Sequence, residues 1–243
     1  MTNSTDTAPL LALSGVTYET DGLRRLGPVD LTVTERRVGV IGRNGSGKST
    51  LSRLVCGLVA PTHGTLRVAG KDVARDRRAA LRRVGMLFQN PDHQIIFPTV
   101  GEEITFGLRN LGRSRAEAEA EARAALADYG CAEWYDRTTG ALSQGQRHLV
   151  CLIAVMAMRP RLVILDEPFA GLDLVATRFL DRQLALAGPS LLHVSHDLQA
   201  LTRYDRVIWI DEGRVRLDGP AADVIDAYRT AMEAVDADAA LSL

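Results

Sequence analysis

Gly42-Arg43-Asn44-Gly45-Ser46-Gly47-Lys48-Ser49 is the stretch whose reading decides the fold of this chain. It has the spacing G-x-x-x-x-G-K-[ST], and its flanks make that spacing informative. Before it, Val38 to Ile41 is a short apolar run that predicts a buried strand. After it, Lys48 to about Cys56 predicts a helix, stopped near Gly57 and Pro61. A strand that turns into a helix through glycines aims a curl of backbone N–H groups, and the positive end of the helix, at one point. That point is an anion site suited to phosphate. Lys48 brings a point charge for β- and γ-phosphates, and Ser49 a hydroxyl for Mg2+. The other cationic side chains are almost all arginine, Lys71 being the one other lysine, so a lysine here is not filler.

A second polar site stands at a strand end. Leu162-Val163-Ile164-Leu165 runs into Asp166-Glu167-Pro168. A strand buried on both faces carries its first polar residues at its C-terminal edge, where α/β folds place ligands. Asp166 there suits a Mg2+ ion held through water, and Glu167 suits polarisation of an attacking water. Elsewhere, strands are expected at Leu11–Tyr18, Val29–Thr34, Thr65–Val68, within Leu81–Gln89, and at Leu191–Ser195, Val207–Ile210 and Val215–Leu217. Helices are expected at Val100–Leu111, from the capping box Ser114-Arg115-Ala116-Glu117 to Asp128, at Gln146–Met158 and at Ala221–Met232. Alternating strands and helices imply an α/β core, with an all-helical insertion at about 90–157.

Composition narrows the function classes. The 243 residues carry a net charge of -1 and 5% aromatics, so neither a basic field nor a stacking platform points to nucleic acid. Cys56, Cys131 and Cys151 are odd in number and lack a C-x-x-C, which reads as buried thiols in a reducing compartment. The polar start, Met1 to Pro9, reads as a loose tail with no signal-peptide core, and the end from Ala234 as a frayed one. The longest apolar run, Leu149 to Met158, falls far short of the roughly 18 residues a membrane span needs. His63, His93, His148 and His193 read as turn, loop, helix-face and strand residues. Trp134, Trp209, Met156 and Met158 read as packing.

Between the two phosphate-handling motifs lies Leu142-Ser143-Gln144-Gly145-Gln146, which resembles the LSGGQ signature of ABC ATPases. Gln89, after a strand, resembles that family's Q-loop. Gly171-Leu172-Asp173 resembles its D-loop, and His196 its switch histidine. In order, the motifs span about Leu10 to Asp218. The resemblance implies a P-loop NTPase core with an antiparallel β lobe and an inserted α-helical lobe. It implies one ATPase domain over about 10–229, with core and β lobe at about 10–89 and 158–229 and tails at 1–9 and 233–243. It also implies ATP and Mg2+ as ligands. ATP contacts fall on Gly42 to Ser49 with Thr50, and on Ser143, Gly145, Gln146 and Asp173. Metal contacts fall on Ser49, Gln89 and Asp166, and catalytic roles on Glu167, His196 and Gln89. Two chains would share each ATP, Ser143 and Gly145 reaching the phosphate held by the other chain. Two departures stand out: Gln144 replaces a signature glycine, and the aromatic expected to stack on adenine aligns near Thr20, the nearest ring being Tyr18, which stacks or simply packs.

Phe88-Gln89-Asn90-Pro91-Asp92-His93-Gln94-Ile95-Ile96-Phe97-Pro98-Thr99-Val100, continued by Gly101-Glu102-Glu103-Ile104, looks like the same region in the ATPases of energy-coupling-factor importers. Among these, the short chain, Ile41-Gly42-Arg43-Asn44-Gly45 and Gln94 to Val100 look most like the biotin-system ATPase, with the cobalt and nickel ATPases a close second. That likeness implies a second ATPase subunit, a copy in preference to a paralogue, and two membrane partners, a coupling subunit and a solute-binding subunit. It places the chain on the cytoplasmic face of a bacterial inner membrane. The competing reading is a non-transport ABC protein. DNA-repair members insert long coiled coils or zinc modules between P-loop and signature, and ribosomal ones carry two ATPase units per chain; neither pattern occurs here.

Overall fold

The computed structural model describes residues 9–240, with side chains to Val235. The expected N-terminal tail therefore lies outside the described residues except for Pro9, as do the last three residues of the C-terminal one. In chain order the elements are β1 (Leu11–Thr20), β2 (Leu23–Val33), β3 (Arg37–Ile41), α1 (Lys48–Val55), β4 (His63–Val68), β5 (Lys71–Asp72), α2 (Arg77–Leu81), β6 (Val84–Leu87), α3 (Val100–Asn110), α4 (Arg115–Asp128), α5 (Gln144–Ala157), β7 (Leu162–Asp166), α6 (Leu174–Leu186), β8 (Ser190–Val194), α7 (Leu198–Leu201), β9 (Arg206–Asp211), β10 (Arg214–Pro220) and α8 (Ala221–Ala240). They fall into two compact units: residues up to Ala80 together with those from Leu191 on, and Leu81–Ser190.

The first unit contains the antiparallel sheet β2-β1-β4-β5. Its register sets Leu11 opposite Val33 and Val68, and Leu13 opposite Leu31 and Leu66. All six are buried, so alternation puts them on one face. In the same unit β9 and β8 flank β3 in parallel, and β10 closes on β9 antiparallel. The three parallel strands are apolar almost throughout, as strands covered on both faces must be. Against β9 packs α8, where Val224 and Ile225 join Ile41, Leu201, Val207 and Trp209 and the Tyr228 ring meets Trp209 edge-on at 5.2 Å. Helix α8 runs on to Ala240, beyond the expected Met232 end and past Ala234, where fraying was expected.

The second unit pairs β6 with β7 in parallel, Val84 opposite Leu162 and Leu87 opposite Leu165, and packs α3, α4 and α5 together. The Ser114–Glu117 capping box forms as read. Helix α5 starts two residues earlier than read, because Ser143 and Gln146 make a second such box. Helix α6 was not anticipated. Leu174, Val175 and Leu186 are all exposed, so its sequence shows no clean apolar stripe.

His193 is buried in β8, with Nδ1 2.9 Å from the Tyr204 hydroxyl. Burial pushes its pKa from 6.5 down to about 3. The unfolded chain takes up this proton near pH 6.5 and the folded chain does not until about pH 3. Stability therefore falls as pH drops through that window, by about 1 kcal/mol per pH unit from this group. Denaturant titrations at pH 7 and pH 5 should show that loss, and a smaller one in His193→Gln. Equal losses in the two proteins would contradict the assignment.

Candidate functional site

Three glycines shape the loop between β3 and α1. Gly42 has φ +150°, and a Cβ there would strike the Ile210 carbonyl oxygen and lie 2.6 Å from Ser46 Oγ. Gly45, at φ +80°, faces open space. Gly47, at φ +112°, is the N-cap of α1, and a Cβ there would crowd the Arg25 carbonyl oxygen and Leu26 Cδ1 at 3.1 Å. The loop is pinned from behind by Ser46 N–H donating to the Arg43 carbonyl (3.1 Å) and Gly213 N–H donating to the Ser46 carbonyl (2.8 Å). Lys48 is buried, and its Nζ donates to the carbonyls of Gly42 (2.8 Å) and Arg43 (2.9 Å). Arg43, Asn44, Gly45 and Ser49 are exposed and Thr50 is half-buried.

Two observations show that this loop fits phosphate. The N-termini of α3, α4, α5, α6 and α7 are capped by the side chains of Thr99, Ser114, Ser143, Asp173 and Asp197. Helix α1 has no side-chain cap and no acidic residue in its first turn, so no capping side chain occupies the positive end of the helix. The Ser46 hydroxyl is also buried without a hydrogen-bond partner.

At the same sheet edge, His196 stands just past β8, which runs parallel to β3, and it is exposed. Ser195 N–H donates to the Val40 carbonyl and fixes that approach at 3.2 Å. Tyr18 is half-buried in β1 opposite Leu26, between two register shifts, and Leu26 is the residue that abuts Gly47.

The second unit repeats this edge arrangement. Gln89 lies just past β6 and is exposed, Asp166 ends β7, and Glu167 follows; both carboxylates are half-buried. Glu167 holds φ +51°, a left-handed conformation that costs a non-glycine residue about 1–3 kcal/mol and recurs at reacting centres. Its carbonyl accepts from Ala170 N–H at 3.1 Å, closing the turn. Among the described residues no group of three or more His, Cys, Asp or Glu could hold a metal ion. Ser49, Gln89 and Asp166 each carry an oxygen of the kind Mg2+ takes, and the ion would need further oxygens from nucleotide and water.

Ser143 Oγ accepts from Gln146 N–H (3.3 Å), and Gln146 Oε1 accepts from Ser143 N–H (2.9 Å). A Cβ on Gly145 would come within 2.9 Å of the Ala176 methyl, so glycine lets α5 begin against α6. The Gln144 amide lies over Gly171 instead of disturbing the turn, and Asp173 Oδ1 accepts from Ala176 N–H (2.8 Å). The sequence reading passed over Arg147 and read His148 only as a helix-face residue. Arg147 Nε sits 3.1 Å from Asp92, and its Nη1 donates to the Leu142 carbonyl (2.8 Å). His148 is wholly buried, with Nδ1 3.1 Å from the Gln144 carbonyl and Nε2 3.2 Å from the Gln89 carbonyl. Its place one and two turns before the buried Leu152 and Val155 marks the inner face, where a histidine must have a polar partner. In the loop after Gln89, Phe97 packs on Phe106 at 4.9 Å and Glu103 accepts the N–H groups of Ile96 and Phe97, while Ile96 stays 65% exposed.

The family model described as "ABC transporter" matches residues 26–170. The chain is 49% identical over 220 residues to the biotin transport ATP-binding protein BioM of Rhodobacter capsulatus, covering 90% of this chain and 94% of that one. It is 42% identical over 204 residues to BioM of Rhizobium etli, covering 84% and 91%. Among solved structures, cbiO1 from Clostridium perfringens, described as part of the ABC transporter complex cbiONQ, superposes with a TM-score of 0.79 at 27% identity over 93% of this chain and 94% of that one.

Substitutions in the loop should separate by position. Gly42→Ala puts a methyl against the Ile210 carbonyl and should weaken binding of a fluorescent ATP analogue at least tenfold, a change of about 1.4 kcal/mol or more. Gly45→Ala meets only the left-handed strain, about 1 kcal/mol, and should bind within a few-fold of the parent. Equal affinities in the two variants would contradict the loop geometry.

Proposed function

The chain belongs to the ABC transporter family as its ATP-binding subunit, and from that premise we propose that it hydrolyses ATP to power an energy-coupling-factor importer for biotin. The observation that carries the nucleotide chemistry is the uncapped start of α1 behind the glycine loop. The choice of biotin rests on the stretches Ile41 to Gly45 and Gln94 to Val100 and on the names of the two BioM relatives. A cobalt or nickel importer is the second reading, supported by the likeness to cbiO1.

The residues take the following roles. Backbone N–H groups from Gly42 to Ser49 hold the β- and γ-phosphates, with Arg43 and Asn44 at the loop tip and Thr50 behind Ser49. Lys48 leaves the loop carbonyls for the phosphate oxygens, and Tyr18 offers its ring to adenine. Ser49, Gln89 and, through water, Asp166 would hold Mg2+. Held by these residues, the ion would supply charge neutralisation to the phosphates. Glu167 polarises the attacking water, and its left-handed backbone sets the carboxylate's direction. His196 contacts the γ-phosphate, and Gln89 senses its presence.

In the active assembly two copies face each other. Ser143, Gly145 and Gln146 of one copy grip the phosphate bound by the other, and Asp173 reaches across. Ser143 Oγ accepts its capping hydrogen bond, so its own O–H remains available to donate. The working unit is one ATPase domain over about 10–229, with about 90–157 as its helical lobe. Among the described residues no helix is long and apolar enough to cross a membrane. The path for the solute therefore comes from partner chains, a coupling subunit and a solute-binding subunit, at the cytoplasmic face of a bacterial inner membrane. Exposed Ile96 belongs to the surface that receives the coupling subunit.

The test is transport in vesicles holding the membrane chains that co-purify with this subunit. ATP inside should drive uptake of labelled biotin and not of Co2+ or Ni2+. Lys48→Ala should lose ATP binding and uptake together. Glu167→Gln should bind ATP normally and lose about 10²- to 10⁴-fold in turnover. Ile96→Asp should keep its melting temperature and fail to pull down the membrane chains. Metal uptake without biotin uptake would overturn the choice of solute, and normal turnover by Glu167→Gln would overturn the role of Glu167.

A further inference from the structure

Arg147 and His148 are consecutive on α5, so they leave the helix about 100° apart, yet both reach the short segment that begins at Gln89. Arg147 Nε lies 3.1 Å from Asp92 Oδ1, and its Nη1 ties back to the Leu142 carbonyl just before the helix. His148 is the stronger tie. It is fully buried, its Nδ1 meets the Gln144 carbonyl one turn back, and its Nε2 meets the Gln89 carbonyl. In the Nε2–H tautomer the ring donates directly to that carbonyl. The segment is also braced from inside: Gln94 Oε1 accepts from Phe88 N–H (3.2 Å) and Asn90 Oδ1 from Asp92 N–H (2.9 Å), so it resists bending at its centre. Moving Gln89 therefore means moving the start of α5 or breaking a buried hydrogen bond, which is costly when its partner is left unsatisfied.

We propose that His148 is a positioning residue for ATP hydrolysis, and that with Arg147 it locks Gln89 to the phosphate-gripping turn Ser143–Gln146. A membrane partner that shifts the segment then shifts that turn with it. The lock rests on the roles proposed above for Gln89 and the signature. It places no contact on nucleotide, so its loss spares ground-state binding and lowers the chemical step.

The test uses the full transporter complex and measures ATP affinity, kcat and the effect of combining substitutions. His148→Ala should keep ATP affinity within about twofold and lose at least about tenfold in kcat. His148→Gln, whose amide can donate to the same carbonyl, should recover most of that loss. Gln89→Ala alone should lower kcat, and His148→Ala added to it should lower kcat little further, since coupled residues are not additive. Normal kcat in His148→Ala beside a slowed Gln89→Ala would overturn the lock alone. Normal kcat in Gln89→Ala would show that the underlying role of Gln89 is wrong, and the lock falls with it. Should His148→Ala fail to fold, the swap of Arg147→Asp with Asp92→Arg takes its place. Each single change should slow turnover and the pair should restore most of it, and a pair no better than the singles overturns the proposal.

Discussion

Helix α1 begins without a side chain to receive its first N–H groups, while five other helices of the chain carry Thr, Ser or Asp for that purpose. Placing Gly47 where a capping side chain would sit gives up one hydrogen bond at a cost of only about a few tenths of a kcal/mol. In exchange it exposes the positive end of a helix at the edge of a parallel sheet. Much of the first unit keeps that end in place. Gly42 admits the Ile210 carbonyl, Gly213 holds Ser46, and the β9–α8 core around Trp209 fixes the strand from which Ile210 comes. Lys48 bonds to its own loop carbonyls, so the charge a phosphate requires is already buried beside it.

The second unit spends its polar groups differently. Ser143 and Gln146 satisfy each other, Asp173 satisfies α6, and His148 and Arg147 join α5 to the loop after β6. Capping makes the first turn of α5 rigid, and the ties make its position depend on Gln89. A helix end that grips a phosphate held elsewhere needs that kind of placement more than it needs bare N–H groups. The left-handed Glu167 at the end of β7 is the one strained carboxylate among the proposed site residues.

The motifs were legible because their chemistry demands fixed residue types at fixed spacing, and the parallel strands because burial on both faces leaves an unbroken apolar run. The start of α5 was misplaced by two residues because Ser143–Gln146 was read as a signature and not also as a capping box. Helix α6 escaped notice because Leu174, Val175 and Leu186 face outward, which blurs the helical period. His148 was read as a helix-face residue. Its burial was implicit in its spacing from Leu152 and Val155, but its partner, the Gln89 carbonyl, lies 59 residues away and no local pattern announces it. The inner face of α5 was readable, and what it touches was not.

The central claim is that two copies of this chain close on ATP, each completing the other's site. Glu167→Gln, which should bind ATP and not consume it, isolates that state. Light scattering at millimolar ATP and Mg2+ should show its mass double from 26.4 kDa, and ADP should leave it single. A chain that binds ATP and stays at the single mass under those conditions would contradict the account.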